Sequence, residues 1–230
     1  MYSDRVVAET IRSFARKNGW EPQFHSVAEC DFMVEEINKY TNIEKSKTGS
    51  RSYVFWKDDK APSKATVKKI KRWVANERFL CFASAEYFVT RYAHIRAANT
   101  QIIHFDMRLS QRILLAYLAE CDDLQIAIQL FVLKARQLGI STFVAQLFLQ
   151  RILYVANTYA VMASVQVPQT QKLKNMIDTC QEKLPTWLRV GQTSTKTTEP
   201  RWTNGSRLSV QAGAQEVGIA QREPPIESLI

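Results

Sequence analysis

Apolar residues recur at helical spacing through most of the first half of the chain. Val6 to Lys17 reads as a short amphipathic helix and Val27 to Tyr40 as a second. Alternation over Ser52 to Trp56 predicts a strand, reached through the loop Lys45-Ser46-Lys47-Thr48-Gly49. Pro62-Ser63 is a helix start, and the pattern that follows runs towards Arg78. From Ala65 to Ala119 apolar positions return every three or four residues, so this stretch is expected to be mainly helical; Tyr87, Phe88 and Tyr92 share that spacing and read as core rather than as a base-stacking platform. Beyond residue 120 the period changes. The apolar run Ile126 to Leu133 predicts a buried strand over Ile128 to Leu133. A helix over Ser141 to Tyr154, a strand over Tyr159 to Val165 and a helix over Gln169 to Leu184, stopped by Pro185, are then expected in turn. Arg201 to Thr203 and Arg207 to Gln211 flank Asn204-Gly205, a strong hairpin signal. Such alternation predicts an α/β fold, a parallel sheet with crossover helices. Three regions result: 1–64, an accessory segment; 65–119, a helical lead-in; and 120–230, the α/β core.

The junction between the expected strand and the helix at Ser141 carries the chemistry. A turn that ends at a helix N-terminus aims several unpaired N–H groups at one point, where the helix dipole also favours an anion. Counted against G-x-x-x-x-G-K-[ST], Gly139 fills the second glycine and Ser141 the hydroxyl position, whereas Lys134 stands where the first glycine belongs and Ile140 replaces the lysine. By spacing alone, an ordinary turn with a glycine and a serine cap is the commoner explanation.

The residues Lys134-x-Arg136-Gln137-x-Gly139-x-Ser141-Thr142 resemble the variant Walker A of the large terminase subunit of tailed bacteriophages, a family whose members include loops with the lysine at the start. The likeness extends upstream to Trp73–Phe82, Glu86–Ala93 and Arg108–Leu114, and downstream to Glu182–Leu188 and Asn204–Gly213; it covers roughly residues 70 to 222, with the blocks in the family's order. It implies a P-loop NTPase of the terminase type that binds ATP with Mg²⁺. Lys134 and Arg136 would then lie on the phosphates, with Gln137, Gly139 and Thr142 in the same loop, and Ser141 would hold Mg²⁺. It further implies that Gln111 reads the adenine edge, since an amide offers donor and acceptor together. Read without the family, Gln111 is a polar helix residue. The implied partners are double-stranded DNA, a portal protein and a small terminase subunit, in a homo-oligomeric motor ring of the host cytoplasm. A rival reading keeps the fold and discards hydrolysis, leaving a non-catalytic DNA-binding or assembly module.

Composition narrows this only slightly. The chain has 230 residues, 46% hydrophobic, which suffices for a core, and no apolar run approaches the roughly 20 residues of a membrane span. No membrane association is expected. Net charge is +9 and the sequence pI about 9.4. The excess concentrates in Lys57, Lys60, Lys64, Lys68, Lys69, Lys71 and Arg72, against Asp58 and Asp59. A basic face of that kind suits DNA phosphates; a solvated helix face or a lysine-rich connector explains the same charges. Cys30, Cys81, Cys121 and Cys180 lack metal-ligand or disulfide spacing, and His25, His94 and His104 show no ligand pattern.

Phosphoryl transfer also needs an acidic residue at a strand end and a carboxylate to activate water. In the family both follow the hairpin. Here the likeness fades after Gly218-Ile219-Ala220-Gln221, and the tail 222–230 contains Pro224-Pro225, which does not suit a buried strand. Glu227 is a poor Walker B residue. The expectation is an incomplete ATPase core, truncated or altered near Gln221, with catalytic residues unassigned and little hydrolysis of its own.

Overall fold

The computed structural model describes residues 4–45, 52–56, 62–97, 100–133, 138–164, 166–194 and 198–212. Helix α1 (Asp4–Asn18) ends at Gly19, whose φ of +69° is the left-handed conformation that a glycine adopts freely. Helix α2 (Val27–Tyr40) starts with a capping box: the Ser26 hydroxyl accepts the Glu29 N–H at 3.3 Å, and the Glu29 carboxylate accepts the Ser26 N–H at 2.8 Å. That backbone bond also holds the Glu29 carboxyl below its ordinary pKa. After α2 come β1 (Thr41–Lys45) and β2 (Ser52–Trp56), paired antiparallel from Thr41 opposite Trp56 to Lys45 opposite Ser52. The strand at Ser52–Trp56 agrees with the sequence pattern; its partner β1 carries no signal of its own.

Helix α3 (Lys64–Ala83) begins where Pro62-Ser63 predicted, with the Ser63 hydroxyl accepting the Thr66 N–H at 3.2 Å. Ser84 closes α3 and caps α4 (Ala85–Tyr92). Tyr87, Phe88 and Tyr92 are all buried, as their spacing implied. The lead-in is not wholly helical, because β3 (His94–Arg96) and β4 (Ile102–His104) form a short antiparallel hairpin before α5 (Leu109–Asp123).

The strand expected at Ile128–Leu133 is absent. Residues 126–133 have no regular structure and are exposed, with Phe131 and Leu133 essentially fully so. An apolar run satisfies only the side-chain half of a strand's requirements; its N–H and C=O groups need a neighbouring backbone, and among the described residues none pairs with this segment.

Beyond this segment the predicted helices and strands appear in order, with one strand added at Gln192–Ser194, where no strand was expected. Helix α6 (Ile140–Tyr154) is the central element, with Phe143, Leu149 and Ile152 fully buried. It is followed by β5 (Tyr159–Ser164) and α7 (Val167–Lys183), whose first turn accommodates Pro168 and which stops just before Pro185. Three strands complete the fold: β6 (Gln192–Ser194), β7 (Arg201–Trp202) and β8 (Arg207–Ala212).

The sheet order is β5-β8-β7-β6. β5 and β8 are parallel, Tyr159 opposite Arg207 to Ser164 opposite Ala212, while β7 pairs antiparallel with both β8 and β6. The sheet is therefore mixed where a parallel one was expected, and the fold is mixed helix and sheet. Asn204-Gly205 makes the predicted turn: Gly205 has φ +83°, and the Asn204 side-chain N–H donates to the Ile152 carbonyl at 2.8 Å, tying the hairpin to α6. Among the described residues, no helix is long and apolar enough to cross a membrane.

Candidate functional site

Leu138 and Gly139 turn into α6 because Gly139 takes φ +70°, ψ 11°. A side chain there would be strained, and a Cβ would lie 2.9 Å from the Gln111 side-chain nitrogen. The first helical bond runs from the Phe143 N–H to the Gly139 carbonyl at 2.9 Å. The N–H groups of Ile140, Ser141 and Thr142 therefore have no intrahelical acceptor, and no side chain caps the turn. Ser141 is exposed, Thr142 half-buried and Ile140 buried. An uncapped helix start with a surface hydroxyl in its first turn is chemically suited to an anion. Lys134, Arg136 and Gln137 lie outside the described residues.

Gln111 is brought to this turn, although 28 positions separate it from Gly139 in sequence. It is buried, and its amide is engaged at both ends: the oxygen accepts the Arg108 N–H at 2.9 Å and the nitrogen donates to the Leu138 carbonyl at 3.2 Å. The first bond satisfies the N-cap N–H at the start of α5. The second holds the turn directly before α6. In this arrangement Gln111 braces the loop, which neither the polar-residue reading nor the adenine reading anticipates.

Thr142 also faces a cavity of about 290 Å³, shared with Ile95, Arg96, Lys172, Asn175, Met176 and Thr179. Arg96 at the end of β3 and Lys172 on α7 add exposed cations to the surroundings of the helix start. Sequence reasoning missed both, since an isolated Arg and Lys on two other elements carry no motif. The helix start thus offers backbone donors of the kind that hold a phosphate group, and Arg96 and Lys172 line the cavity that Thr142 shares with them. Towards Mg²⁺ it offers the Ser141 hydroxyl, and among the described residues no three His, Cys, Asp or Glu side chains gather into a metal-binding group.

A second polar constellation lies in the helical region. Glu77 is fully buried on α3, yet five donors surround it, the Cys30 thiol 3.8 Å from Oε2 among them. The hydroxyls of Tyr87 and Tyr92 donate to Oε2 at 2.9 and 2.6 Å, Asn76 donates to Oε1 at 2.9 Å, and His25 Nδ1 lies 2.7 Å from Oε1. Burial, with the Glu77 charge next in effect, pushes both tyrosine hydroxyls far above their usual pKa, so they remain donors. Burial likewise raises the Cys30 thiol to about 11, which makes it an inert member of the cluster. His25 stacks on Trp73 at 3.9 Å, and its carbonyl accepts from Arg91 Nε at 2.6 Å. The cluster welds the segment ahead of α2 to α3 and α4. Its sequence signal was a carboxylate among the core-facing positions of α3, between Ile70, Trp73 and Leu80.

The remaining histidines, His94 and His104, face each other across the β3–β4 hairpin with ring centres 4.2 Å apart. Burial holds His94 below its ordinary pKa. All four cysteines are buried free thiols.

In comparison with known proteins, no family model matches the chain and no curated protein matches it.

Proposed function

We propose that this chain is the ATP-binding part of a viral DNA-packaging motor, of the kind formed by the large terminase subunit of tailed bacteriophages. The observation that supports this reading best is the left-handed Gly139 turn, which opens α6 without a side-chain cap and leaves Ser141 exposed in the first turn. It is the local geometry that the Lys134–Thr142 resemblance requires of an anion-binding loop. In this reading the N–H groups at the start of α6 hold phosphate oxygens. Lys134 and Arg136 supply the positive charge, Gln137, Gly139 and Thr142 shape the loop, and the Ser141 hydroxyl is a ligand to Mg²⁺. ATP, when bound, supplies the transferable phosphoryl group. Recognition of adenine by Gln111 requires its side-chain nitrogen to release the Leu138 carbonyl first. The partners in this reading are double-stranded DNA, a portal protein and a small terminase subunit, within a ring in the host cytoplasm. A P-loop fold of the terminase type belongs to the same proposal.

One observation favours the second reading, a non-catalytic DNA-binding or assembly module. Residues 128–133 pair with no described strand, so among the described residues no strand anchors the loop on its N-terminal side, where a working P-loop has one.

The test is a titration of the purified chain with a fluorescent Mg·ATP analogue, alongside Lys134→Ala and Ser141→Ala. Saturable binding that weakens about tenfold or more in Lys134→Ala, a loss of about 1.4 kcal/mol, and less in Ser141→Ala is expected. Binding that is absent in the parent chain, or unchanged in both variants, would overturn the nucleotide reading.

A further inference from the structure

Helix α3 is the most one-sided element of the molecule in charge. It carries Lys64, Lys68, Lys69, Lys71, Arg72 and Arg78, all exposed, and its single carboxylate, Glu77, is fully buried and consumed by the tyrosine and histidine cluster. No acidic side chain of the helix reaches solvent to offset those cations. None of the six joins an ion pair among the described residues; Arg72 lies over the Trp20 ring, 5.2 Å from its centre. At 100° per residue, Lys64, Lys68, Lys71 and Arg78 fall within an arc of about 80°, and at 1.5 Å per residue they span about 21 Å along the axis. The buried residues of α3, including Ile70, Leu80 and Cys81, occupy the other side.

We infer that the exposed face of α3 is a sequence-neutral binding surface for the phosphate backbone of double-stranded nucleic acid. Three features of the face select this partner. A helix that inserts into a lipid surface needs a free apolar face, and that of α3 is already spent in the core. Protein interfaces centre on buried apolar or aromatic anchors, whereas the stripe from Lys64 to Arg78 holds Lys64, Lys68, Lys71, Ala75 and Arg78, and Phe82, in line with them one turn further on, is half-buried. Single strands are held by aromatic stacking platforms, and no ring lies in the stripe between Lys64 and Arg78, where the four cations stand. A row of flexible single-sign charges about 21 Å long suits a continuous line of phosphates, such as that of a duplex. The expected Lys57 and Lys60 contribution lies outside the described residues.

This inference is separate from the nucleotide loop, and its test is run without nucleotide, so failure of ATP binding leaves it intact. Fluorescence anisotropy of a labelled 20-base-pair DNA duplex is followed across a series of KCl concentrations with the full chain. The parent is compared with K64Q/K68Q/K71Q/R78Q and with a control of equal charge loss on other elements, K39Q/R112Q/K183Q/R201Q; circular dichroism checks that each keeps its helix content. The α3 variant should bind at least tenfold more weakly. Its slope of log K against log salt should be shallower by up to about 3.6, the value for four phosphate contacts at 0.9 each. The control should keep most of the parent's affinity. Equal losses in the two variants would reduce the effect to net charge and overturn the assignment. So would an unchanged α3 variant, or a parent chain that ignores the duplex and binds phosphatidylserine vesicles instead.

Discussion

Two apolar stretches of similar composition meet opposite fates in this molecule. Phe143 to Leu153 lies in α6, where Phe143, Leu149 and Ile152 are fully buried. Ile126 to Leu133, just before the turn that opens the same helix, is exposed throughout, Phe131 and Leu133 completely. Hydrophobicity does not separate them. A helix satisfies its own backbone and needs only side-chain neighbours, which α4, α7 and the Asn204 hairpin give to α6. A strand needs another strand, and among the described residues β5 ends the sheet with nothing paired beyond it. The nucleotide-loop reading depends on this difference, because its helix is packed in the core while, among the described residues, its strand side has no partner.

The sharpest way to break the comparison is to damage the well-packed side. Phe143→Ala removes a fully buried ring from the central helix and should cost about 3 to 5 kcal/mol of stability, as large-to-small core substitutions do. Urea denaturation followed by circular dichroism measures it. A cost below about 1 kcal/mol would mean that α6 is not the centre of a close-packed core.

Between the two stretches stands Gly139. Alanine there must hold φ near +70° and place its Cβ 2.9 Å from the Gln111 nitrogen, so Gly139→Ala should cost about 1 to 2 kcal/mol. The two contributions separate in a double-mutant cycle. Gln111→Ala removes the close contact but not the backbone strain, so the second substitution should cost less in its presence. Strict additivity in that cycle would show that Gln111 does not press on the turn.

Local signals in the sequence explain why much of this fold was legible. Pro62-Ser63, Asn204-Gly205 and Pro185 each act through their immediate neighbours, and each marks a real boundary in the structure. Pairing across the chain left no such mark. β1 is a strand because β2 lies beside it, β3 and β4 hide in a helical pattern, and the sheet is mixed because β7 turns back on β8. The candidate site divides in the same way. Gly139 and Ser141 could be read from a spacing, whereas the brace from Gln111 and the nearby charges of Arg96 and Lys172 arise only once distant elements pack. Glu77 shows the converse error. A carboxylate among core positions looks like a violation of the pattern until His25, Asn76, Tyr87 and Tyr92 supply its donors from three separate places in the chain.

The smallest expected effect falls on the exposed stretch itself. Phe131→Ser and Leu133→Ser remove large apolar side chains that touch almost nothing, so each should change the unfolding free energy by no more than about 0.5 kcal/mol, in contrast to the loss at Phe143. The same substitutions should reduce self-association, since a run of exposed apolar residues offers unpaired backbone and side chains together. Light scattering at rising protein concentration reads the second effect and denaturant titration the first. A cost of 2 kcal/mol or more at either position would place these side chains in a packed environment, and the difference between the two stretches would vanish.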